Sequence, residues 1–283
     1  MIDKIINTFK SQNKYFWFVA IRMFSFLIIG FETFFGPKII GLENFAVVEY
    51  EKQLINLSAI LLFGLHTGYG ISYFKSNKKN KSTSFLFLGL FYVLILFGIY
   101  SVISQTFSFG IIVFLLSIMM EQLLKINNKF NLAILFKPLF SILLVTYYIY
   151  YYFFSEILMG FAFDVNLIYL MAFILFVVFT YKYLNLDYKE IHLNLKEFKE
   201  YLKNGFQPNL STSLIITIFF LDRFLIEKYY ESSLGVYSIA YNFSLISFLI
   251  ASSLAYITSI KIGEKLKEPE QLKKMINRLM KVS

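Results

Sequence analysis

The chain has 283 residues, of which 58% are hydrophobic and 16% are charged, whereas soluble domains are about 45–50% apolar and 25% charged. These fractions exclude an ordinary soluble domain and indicate a polytopic membrane protein. Cysteine is absent, which excludes disulfides, a thiolate nucleophile and a cysteine-ligated metal. His66 and His192 are too far apart in sequence to favour a histidine-built metal site. Membrane topology and attraction to anionic lipid explain the net charge of +9 better than nucleic acid does.

Eight stretches are apolar and long enough to cross the roughly 30 Å hydrocarbon core of a bilayer. In chain order they are 15–36, 53–74, 83–104, 106–124, 131–154, 161–182, 208–228 and 235–260. The third and fourth are together too long for one span, so we interpret them as a tight hairpin around Gln105. Pro138 lies in the first turns of the fifth, where a missing N–H is tolerated. The expected fold is all-α with about eight transmembrane helices.

Basic residues indicate the orientation of these spans. With a cytoplasmic N-terminus, 23 of the 27 Lys and Arg residues fall on the inner side. Only Lys38, Lys52, Arg223 and Lys228 fall in the outer half. This asymmetry follows the positive-inside rule and predicts that both termini are cytoplasmic. No cleavable signal peptide is evident, so the first transmembrane helix is expected to direct insertion.

Two polar segments read as amphipathic helices that lie in the membrane interface. The first covers 183–205, with Leu195, Phe198 and Leu202 on one side, and the second is the tail 263–283. A partner-binding role is the alternative for both. No loop is large enough to hold a folded catalytic domain.

Several charges lie where a bilayer disfavours them. Only nine residues separate Arg22 from Glu32, about 14 Å of helix, so at least one of them lies within the hydrocarbon. Arg22 and His66 are each expected roughly 10–13 Å from the inner ends of their helices and at a shared level. The alternatives are that Arg22 snorkels to the inner headgroups and that His66 is a hydrogen-bonded packing residue.

Asp222 and Arg223 form a charged doublet in the apolar run 208–226, roughly 21 Å beyond Pro208. Adjacent helical residues point about 100° apart, so the doublet cannot pair on one face, whereas Arg223 can meet Glu227 at i+4. A structural pair between those two is therefore the alternative to a functional site.

The other acidic residues are expected to have ordinary roles. Glu49 and its acidic neighbours near the outer boundaries are expected to be solvated. Glu121 and Lys125 are expected to pair at i and i+4.

Four motifs carry a resemblance to a known family. They are GFQPNLS at 205–211, DRFLI at 222–226, LGVYSIAY at 234–241 and GPKIIGLENF at 36–45. Together they resemble the seventh and eighth helices, and the connection between the first two helices, of Wzx-type polysaccharide flippases in the multidrug/oligosaccharidyl-lipid/polysaccharide exporter superfamily. The resemblance covers all eight segments in order; the DRFLI region is moderately specific, and the N-terminal motif is weak alone.

The resemblance implies two six-helix lobes around a central cavity. It divides the chain into a first lobe at 1–182, a linker at 183–205, the opening two helices of a second lobe at 206–262 and a tail at 263–283. Each lobe begins with an amphipathic stretch, a span with charge in its outer half and a glycine-led turn, at Gly41 and Gly235. Family members have more spans than this chain supplies, so we expect a truncated chain whose coding sequence continues with about four to six further spans.

The function implied by the resemblance is to flip undecaprenyl-pyrophosphate-linked oligosaccharide across the bacterial cytoplasmic membrane by alternating access. In that role Arg22, and more weakly Arg223, would bind pyrophosphate, because the guanidinium fork matches phosphate oxygens. Glu32 and Asp222 are candidates for ion coupling or gate contacts, and His66 is a candidate proton-sensitive group. The implied partners are the lipid-linked oligosaccharide, anionic membrane lipids, a polysaccharide polymerase and glycosyltransferases. No cofactor, metal, catalytic residue or nucleic acid is expected.

Two other functions stay open at this point. One is a drug or small-solute exporter of the same superfamily. The other is a membrane enzyme, such as a polysaccharide polymerase or an acyltransferase, which would be expected to carry a sizeable outer loop or a cluster of His, Asp and Arg near one interface.

Overall fold

A computed structural model describes residues 2–76, 82–104, 108–154, 164–184, 186, 194–230, 233–244 and 270. This part of the chain is helical and contains no strand. The helices, in chain order, are α1 (Ile2–Ile40), α2 (Leu42–Leu57), α3 (Leu65–Ser76), α4 (Ser82–Ser104), α5 (Phe109–Ile126), α6 (Phe130–Ala133), α7 (Phe136–Phe154), α8 (Val165–Thr180) and α9 (Leu195–Tyr229). Short 3₁₀ turns cover Ser58–Leu62 and Tyr181–Tyr183, and residues 234–244 form a further helical segment.

Five helices of the described residues are long and apolar enough to cross a membrane. These spans are Ala20–Ile40, Ser82–Val102, Phe109–Ile126, Val165–Tyr183 and a stretch within Leu195–Tyr229. A sixth results if the bent pair of Leu42–Leu62 and Leu65–Tyr73 counts as one span. The all-helical membrane class agrees with the sequence, since helices satisfy their own backbone hydrogen bonds in lipid. The count of eight spans is not confirmed.

The first two helices differ from the sequence prediction at their junction. α1 continues through Pro37 to Ile40, and Gly41 alone connects it to α2. Gly41 has φ 82°, in the left-handed region that favours glycine. The second helix therefore begins at Leu42, not at residue 53, and it carries Glu49 and Lys52 inside a helix.

The second predicted span is broken in its middle. Phe63 and Gly64 both have positive φ, 45° and 79°, and the helical axis bends there by 48°. This break separates the 3₁₀ turn that follows α2 from α3.

The central part of the chain follows the predicted order more closely. α4 ends at Ser104 and α5 begins at Phe109, so the chain breaks where the hairpin was expected; residues 105–107 lie outside the described part. The fifth predicted span divides into α6 and α7, with Pro138 as the third residue of α7. α8 covers most of the sixth.

The end of the described chain joins two predicted elements. α9 is one helix of 35 residues that contains both the second half of the expected linker and the expected span 208–228. The expected eighth span is helical over 234–244. The rest of that span, and the expected amphipathic tail apart from residue 270, lie outside the described residues.

α5 is the central helix of the bundle. Of its span, 61% is buried inside the protein, against at most 33% for the other four spans. It contacts α2, α3, α4 and α8, and Leu115, Met119 and Leu123 on it are fully buried. A helix that is apolar all round is expected at the centre of such a bundle.

α9 packs against α3 through close backbone-to-backbone contact at glycine residues. A Cβ on Gly64, Gly68 or Gly205 would overlap the backbone of the opposite helix, so the two helices can touch only because these residues are glycine. One turn further along, Asn204 Nδ2 donates a hydrogen bond to Ser72 Oγ at 3.1 Å. This contact fixes the position from which α9 extends toward α2.

Candidate functional site

Two groups of charged residues lie among these helices. The first, which we name the charge cluster, contains Glu32, Glu49, Lys52, Arg223 and Asn242. The second, which we name the basic group, contains Arg22, His66, Lys125 and Lys137. The charge cluster has the more complete geometry.

Four helical segments bring the charge cluster together. Glu32 comes from α1, Glu49 and Lys52 from α2, Arg223 from α9, and Asn242 from the 234–244 segment. At 1.5 Å per residue, Glu32, Glu49 and Arg223 lie about 12, 10 and 9 Å from the nearest ends of their helices. The turns at those ends touch, because a Cβ on Gly235 would lie 2.9 Å from the Leu42 carbonyl oxygen. The cluster therefore occupies one level of the bundle.

Two acidic and two basic side chains form the core of the charge cluster. Lys52 Nζ contacts the carboxylates of both Glu32 and Glu49. The other Glu49 oxygen, Oε2, lies 3.5 Å from Arg223 Nη1 and accepts a hydrogen bond from Asn242 Nδ2 at 3.2 Å. Arg223 Nη1 also donates to the Glu49 carbonyl oxygen at 3.4 Å. Glu49 is thus the residue through which α1 and α2 are joined to α9 and the 234–244 segment.

The cluster is almost completely removed from solvent. Arg223 is 0%, Glu49 1% and Glu32 2% exposed, and the Lys52 side chain is 14% exposed. Two carboxylates balance two cations, so the cluster has no net charge. Balance is required here, because a single unpaired charge in such a place costs several kcal/mol.

Arg223 also packs against an aromatic ring. Its Cζ lies 4.2 Å from the ring centroid of Tyr241, within the range of a cation–π interaction. Ser238, Tyr241 and Asn242 are spaced i, i+3 and i+4, so they lie on one face of the 234–244 segment. This is the face that meets the guanidinium, and Ser238 on it is fully buried. Arg223 Nε and Nη2 and the Ser238 hydroxyl have no hydrogen-bond partner among the described residues.

The structure decides against the alternative in which Arg223 pairs along its own helix. Arg223 pairs with Glu49 of α2, not with Glu227 on its own helix. Glu49 was expected to be solvated and is instead buried, because α2 begins eleven residues earlier than predicted and turns this side chain into the bundle. Asp222 is exposed, and its Oδ2 accepts a 3.4 Å hydrogen bond from the Tyr237 hydroxyl. The doublet thus separates into one buried residue and one surface residue.

Sequence reasoning placed Glu32 and Arg223 among the site candidates and missed the residues that connect them. Lys52, Glu49 and Asn242 were missed because the first two were assigned to a loop and the third to an ordinary span. One feature of the sequence could have revealed them. Phe45, Val48, Glu49 and Lys52 are spaced i, i+3, i+4 and i+7, which places all four on one face of a helix.

The basic group draws one residue from each of α1, α3, α5 and α7. Lys137 lies within electrostatic range of Arg22, Lys125 and Glu121, and His66 lies within range of Lys125. Lys125 Nζ is 3.4 Å from Glu121 Oε2, which confirms the expected i, i+4 pair. Among the described residues this region holds three basic side chains and one carboxylate, whereas the charge cluster holds two of each.

Arg22 and His66 belong to the same group, but they do not contact each other through a described hydrogen bond. The Arg22 guanidinium lies 5.6 Å from the Phe18 ring centroid. His66 is partly buried beside the helix break, and its Nδ1 has no hydrogen-bond partner among the described residues. Within that part of the chain, no group of three or more His, Asp or Glu side chains is arranged to hold a metal ion.

Comparison with family models, with curated proteins and with solved structures gave no significant match. The resemblance to polysaccharide flippases therefore stays a prediction that rests on the motifs described above. The geometry of the two charged groups is an independent basis for a functional argument.

Proposed function

We propose that this protein flips undecaprenyl-pyrophosphate-linked oligosaccharide repeat units across the bacterial cytoplasmic membrane for surface polysaccharide synthesis. The observation that carries the proposal is the buried pair of Glu49 and Arg223, which joins residues 174 positions apart in the chain. It ties α1 and α2 of the expected first lobe to α9 and the 234–244 segment of the expected second lobe. A contact of this kind is what a gate between two lobes requires.

In the proposed gate, ion pairs between the helices are exchanged for hydration of the same charges. The four charged side chains neutralise one another while the helices are together. When the helices separate, each charge must be hydrated or paired anew, which costs several kcal/mol unless water enters. The charge cluster therefore favours two distinct arrangements, one closed and dry and one open and wet, as alternating access demands.

The basic group supplies the second part of the proposal. A pyrophosphate and a glycan cannot cross hydrocarbon without replacement of their hydration. Arg22, Lys125 and Lys137 are three basic side chains of the kind that attract a pyrophosphate, and arginine offers it a fork of donors. In the proposed orientation both termini are cytoplasmic, so this region receives the substrate from the inner leaflet.

The gate is tested by cross-linking in a chain that has no cysteine of its own. The rings of Tyr50 on α2 and Phe220 on α9 are 6.0 Å apart, so Tyr50→Cys/Phe220→Cys joined by a short bis-methanethiosulfonate, which forms a disulfide with each cysteine, ties the two helices together. We expect cross-linking to stop appearance of the glycan at the cell surface and a cleavable reagent to restore it on reduction. The matched controls are the single variants Tyr50→Cys and Phe220→Cys, which the reagent modifies without joining the helices and which should therefore still export glycan.

Substitution separates the flippase from the alternatives. Arg22→Ala and Arg223→Ala should each abolish surface glycan while the protein still inserts into the membrane. Unchanged surface glycan in both variants, or in the cross-linked pair, would contradict the proposal. Loss of resistance to a small toxic solute with normal glycan would favour the exporter instead.

A further inference from the structure

The long helix α9 has a weak point in its backbone hydrogen bonding. Pro208 lies inside this helix and has no backbone N–H, so the carbonyl oxygen of Asn204 lacks its usual donor. Gly205, which lies between them, has the fewest steric limits on its backbone dihedrals. Sharp kinks in helices are usually found at proline. Residues 204–208 are therefore the stretch at which α9 bends most easily.

Hydroxyl groups weaken the turns that follow this stretch. Ser211 Oγ donates a hydrogen bond to the Pro208 carbonyl oxygen at 3.3 Å. Thr217 Oγ1 donates to the Ser213 carbonyl oxygen at 2.8 Å. Hydrogen bonds of this kind compete with the backbone ladder and often bend helices. The weak region of α9 thus continues into its apolar stretch.

The part of α9 before the weak point, residues 195–205, is fixed to two neighbouring helices, and we name it the anchor. Tyr201 is buried, and its ring packs edge-on against Tyr69 of α3 with 5.3 Å between the ring centroids. Phe198 packs edge-on against Tyr92 of α4 at 5.4 Å. Together with the glycine contact to α3, these rings hold the anchor in place.

The part of α9 after the weak point packs with the segment that follows it. Residues 209–229 and 234–244 form a hairpin, which we name the arm, and Arg223 of the first lies 4.2 Å from the Tyr241 ring centroid of the second. The apolar stretch of α9 is only 6% buried by the described protein, the smallest share among the five spans. The arm is therefore joined internally and little covered by the rest of the bundle.

The arm contacts α2 at the charge cluster. Arg223 and Asn242 both bind Glu49, and the ring of Phe220 lies 6.0 Å from the ring of Tyr50. Arg223 is 15 residues beyond the proline, about 22 Å along the helix. A small bend at the weak point is therefore enough to separate the arm from α2.

We propose that α9 is a hinged helix, in which a bend at residues 204–208 moves the arm away from α2 while the anchor stays on α3 and α4. The charge cluster holds the arm in the closed position. This inference rests on the proposed function and deepens it, because it states which segment of the gate moves and about which residues. A bend of about 20° moves Leu225, 17 residues beyond the proline, by about 9 Å. This is more than twice the separation of about 4 Å that limits an ion pair.

Distances between two spin labels test the hinge directly. Cysteine is absent from the chain, so each label can be attached to one introduced cysteine. The arm pair is Leu225→Cys with Val47→Cys on α2, and the anchor pair is Lys199→Cys with Phe87→Cys on α4; all four side chains are exposed. The full chain is reconstituted in lipid nanodiscs and measured by double electron–electron resonance.

Removal of the ion pair should move the arm and leave the anchor in place. In Glu49→Leu/Arg223→Met, and in Glu49→Gln, the arm pair should gain a second distance that is longer by up to about 9 Å. The anchor pair should keep a single distance, which also shows that the variant is folded.

A proline variant tests where the bend occurs. Pro208→Ala, added to either variant, supplies the missing N–H and should remove the longer distance. Pro138→Ala is the matched control, because this proline lies in the first turn of α7, where a missing N–H is tolerated. It should leave the longer distance in place.

The outcomes separate the hinge from the proposed function. A single arm distance in both ion-pair variants, an equal change in the anchor pair, or a longer distance that persists with Pro208→Ala would overturn the hinge. If that happened while the Tyr50→Cys/Phe220→Cys cross-link still stopped export, the gate would stand without the hinge. If the arm moved as expected while that cross-link left surface glycan unchanged, the hinge would stand and the flippase would not.

Discussion

Removal of Glu49 offers the sharpest test of the charge cluster. In Glu49→Leu, the guanidinium of Arg223 is fully buried and loses its only carboxylate among the described residues. Breaking a buried ion pair from one side costs about 3–5 kcal/mol of folding free energy, because the remaining charge is uncompensated. Arg223→Met should cost a similar amount, since Glu49 then keeps only Lys52 as a cation, which Glu32 also needs.

The double variant Glu49→Leu/Arg223→Met should not show the sum of these losses. It leaves Glu32 and Lys52 as a balanced pair and fills the vacated space with apolar side chains, which is often neutral. The remaining cost is the unpaired Asn242 amide, about 1–3 kcal/mol. The two single losses together are therefore expected to exceed the loss of the double variant by at least about 3 kcal/mol, which is the upper end of the coupling energies found for residues in contact.

The assay is reversible unfolding of the purified protein in mixed micelles of dodecyl maltoside and sodium dodecyl sulfate, followed by far-ultraviolet circular dichroism. Losses that add within about 0.5 kcal/mol would refute the reasoning, because independent sites behave in that way. Surface glycan should stay absent in the double variant even though its stability returns, since the charges that the gate exchanges are gone. Normal export in that variant would remove the cluster from the mechanism.

Three further outcomes follow from the structure. Gly68→Ala should destabilise the protein by about 1–3 kcal/mol in the same unfolding assay, because its Cβ would overlap a carbonyl of α9. Gly98→Ala is the control: this glycine has open space around it, so the substitution should be neutral or slightly stabilising. Asp222→Asn should change stability by no more than about 0.5 kcal/mol, since this carboxylate is on the surface; a loss as large as that of Glu49→Leu would contradict the assignment of roles within the doublet. Tyr241→Leu should lower the free energy of unfolding by about 0.5–2 kcal/mol, because it removes the cation–π contact with Arg223. Tyr241→Phe should retain most of that contact and lose less. Equal losses in the two variants would show that the hydroxyl, and not the ring, stabilises the protein.

The helices could be predicted from the sequence where hydrophobicity changes sharply. α4, α5 and α8 begin and end within a few residues of the expected positions, because polar or turn-forming residues interrupt long apolar runs there. The error came at α2, which carries three acidic residues, at 43, 49 and 51, and one lysine, Lys52. An average over a window places such a stretch outside the membrane, whereas the tertiary structure pairs Glu49 with Lys52 and Arg223 inside the bundle.

The candidate site, like the helices, could be predicted only in part from the sequence. Glu32 and Arg223 could be identified as candidates because a charge inside an apolar run is costly in a bilayer. Their connection through Glu49 and Lys52 could not be predicted, since the choice of partner depends on which helix faces meet. The local pairing of Arg223 with Glu227 at i+4 was geometrically available, and the structure uses a partner from another helix instead.

The sequence by itself determined that this chain forms apolar helices of bilayer length and that a few charges must lie within them. Both follow from local quantities, namely hydrophobicity along the chain and the rise of a helix per residue. Only the tertiary structure decided that Arg223 is buried and Asp222 is exposed, and that Glu49 is the partner of the former across 174 residues. A buried charge is stabilised only by a neighbour in space, and the packing of α1, α2 and α9 determines which residue that neighbour is.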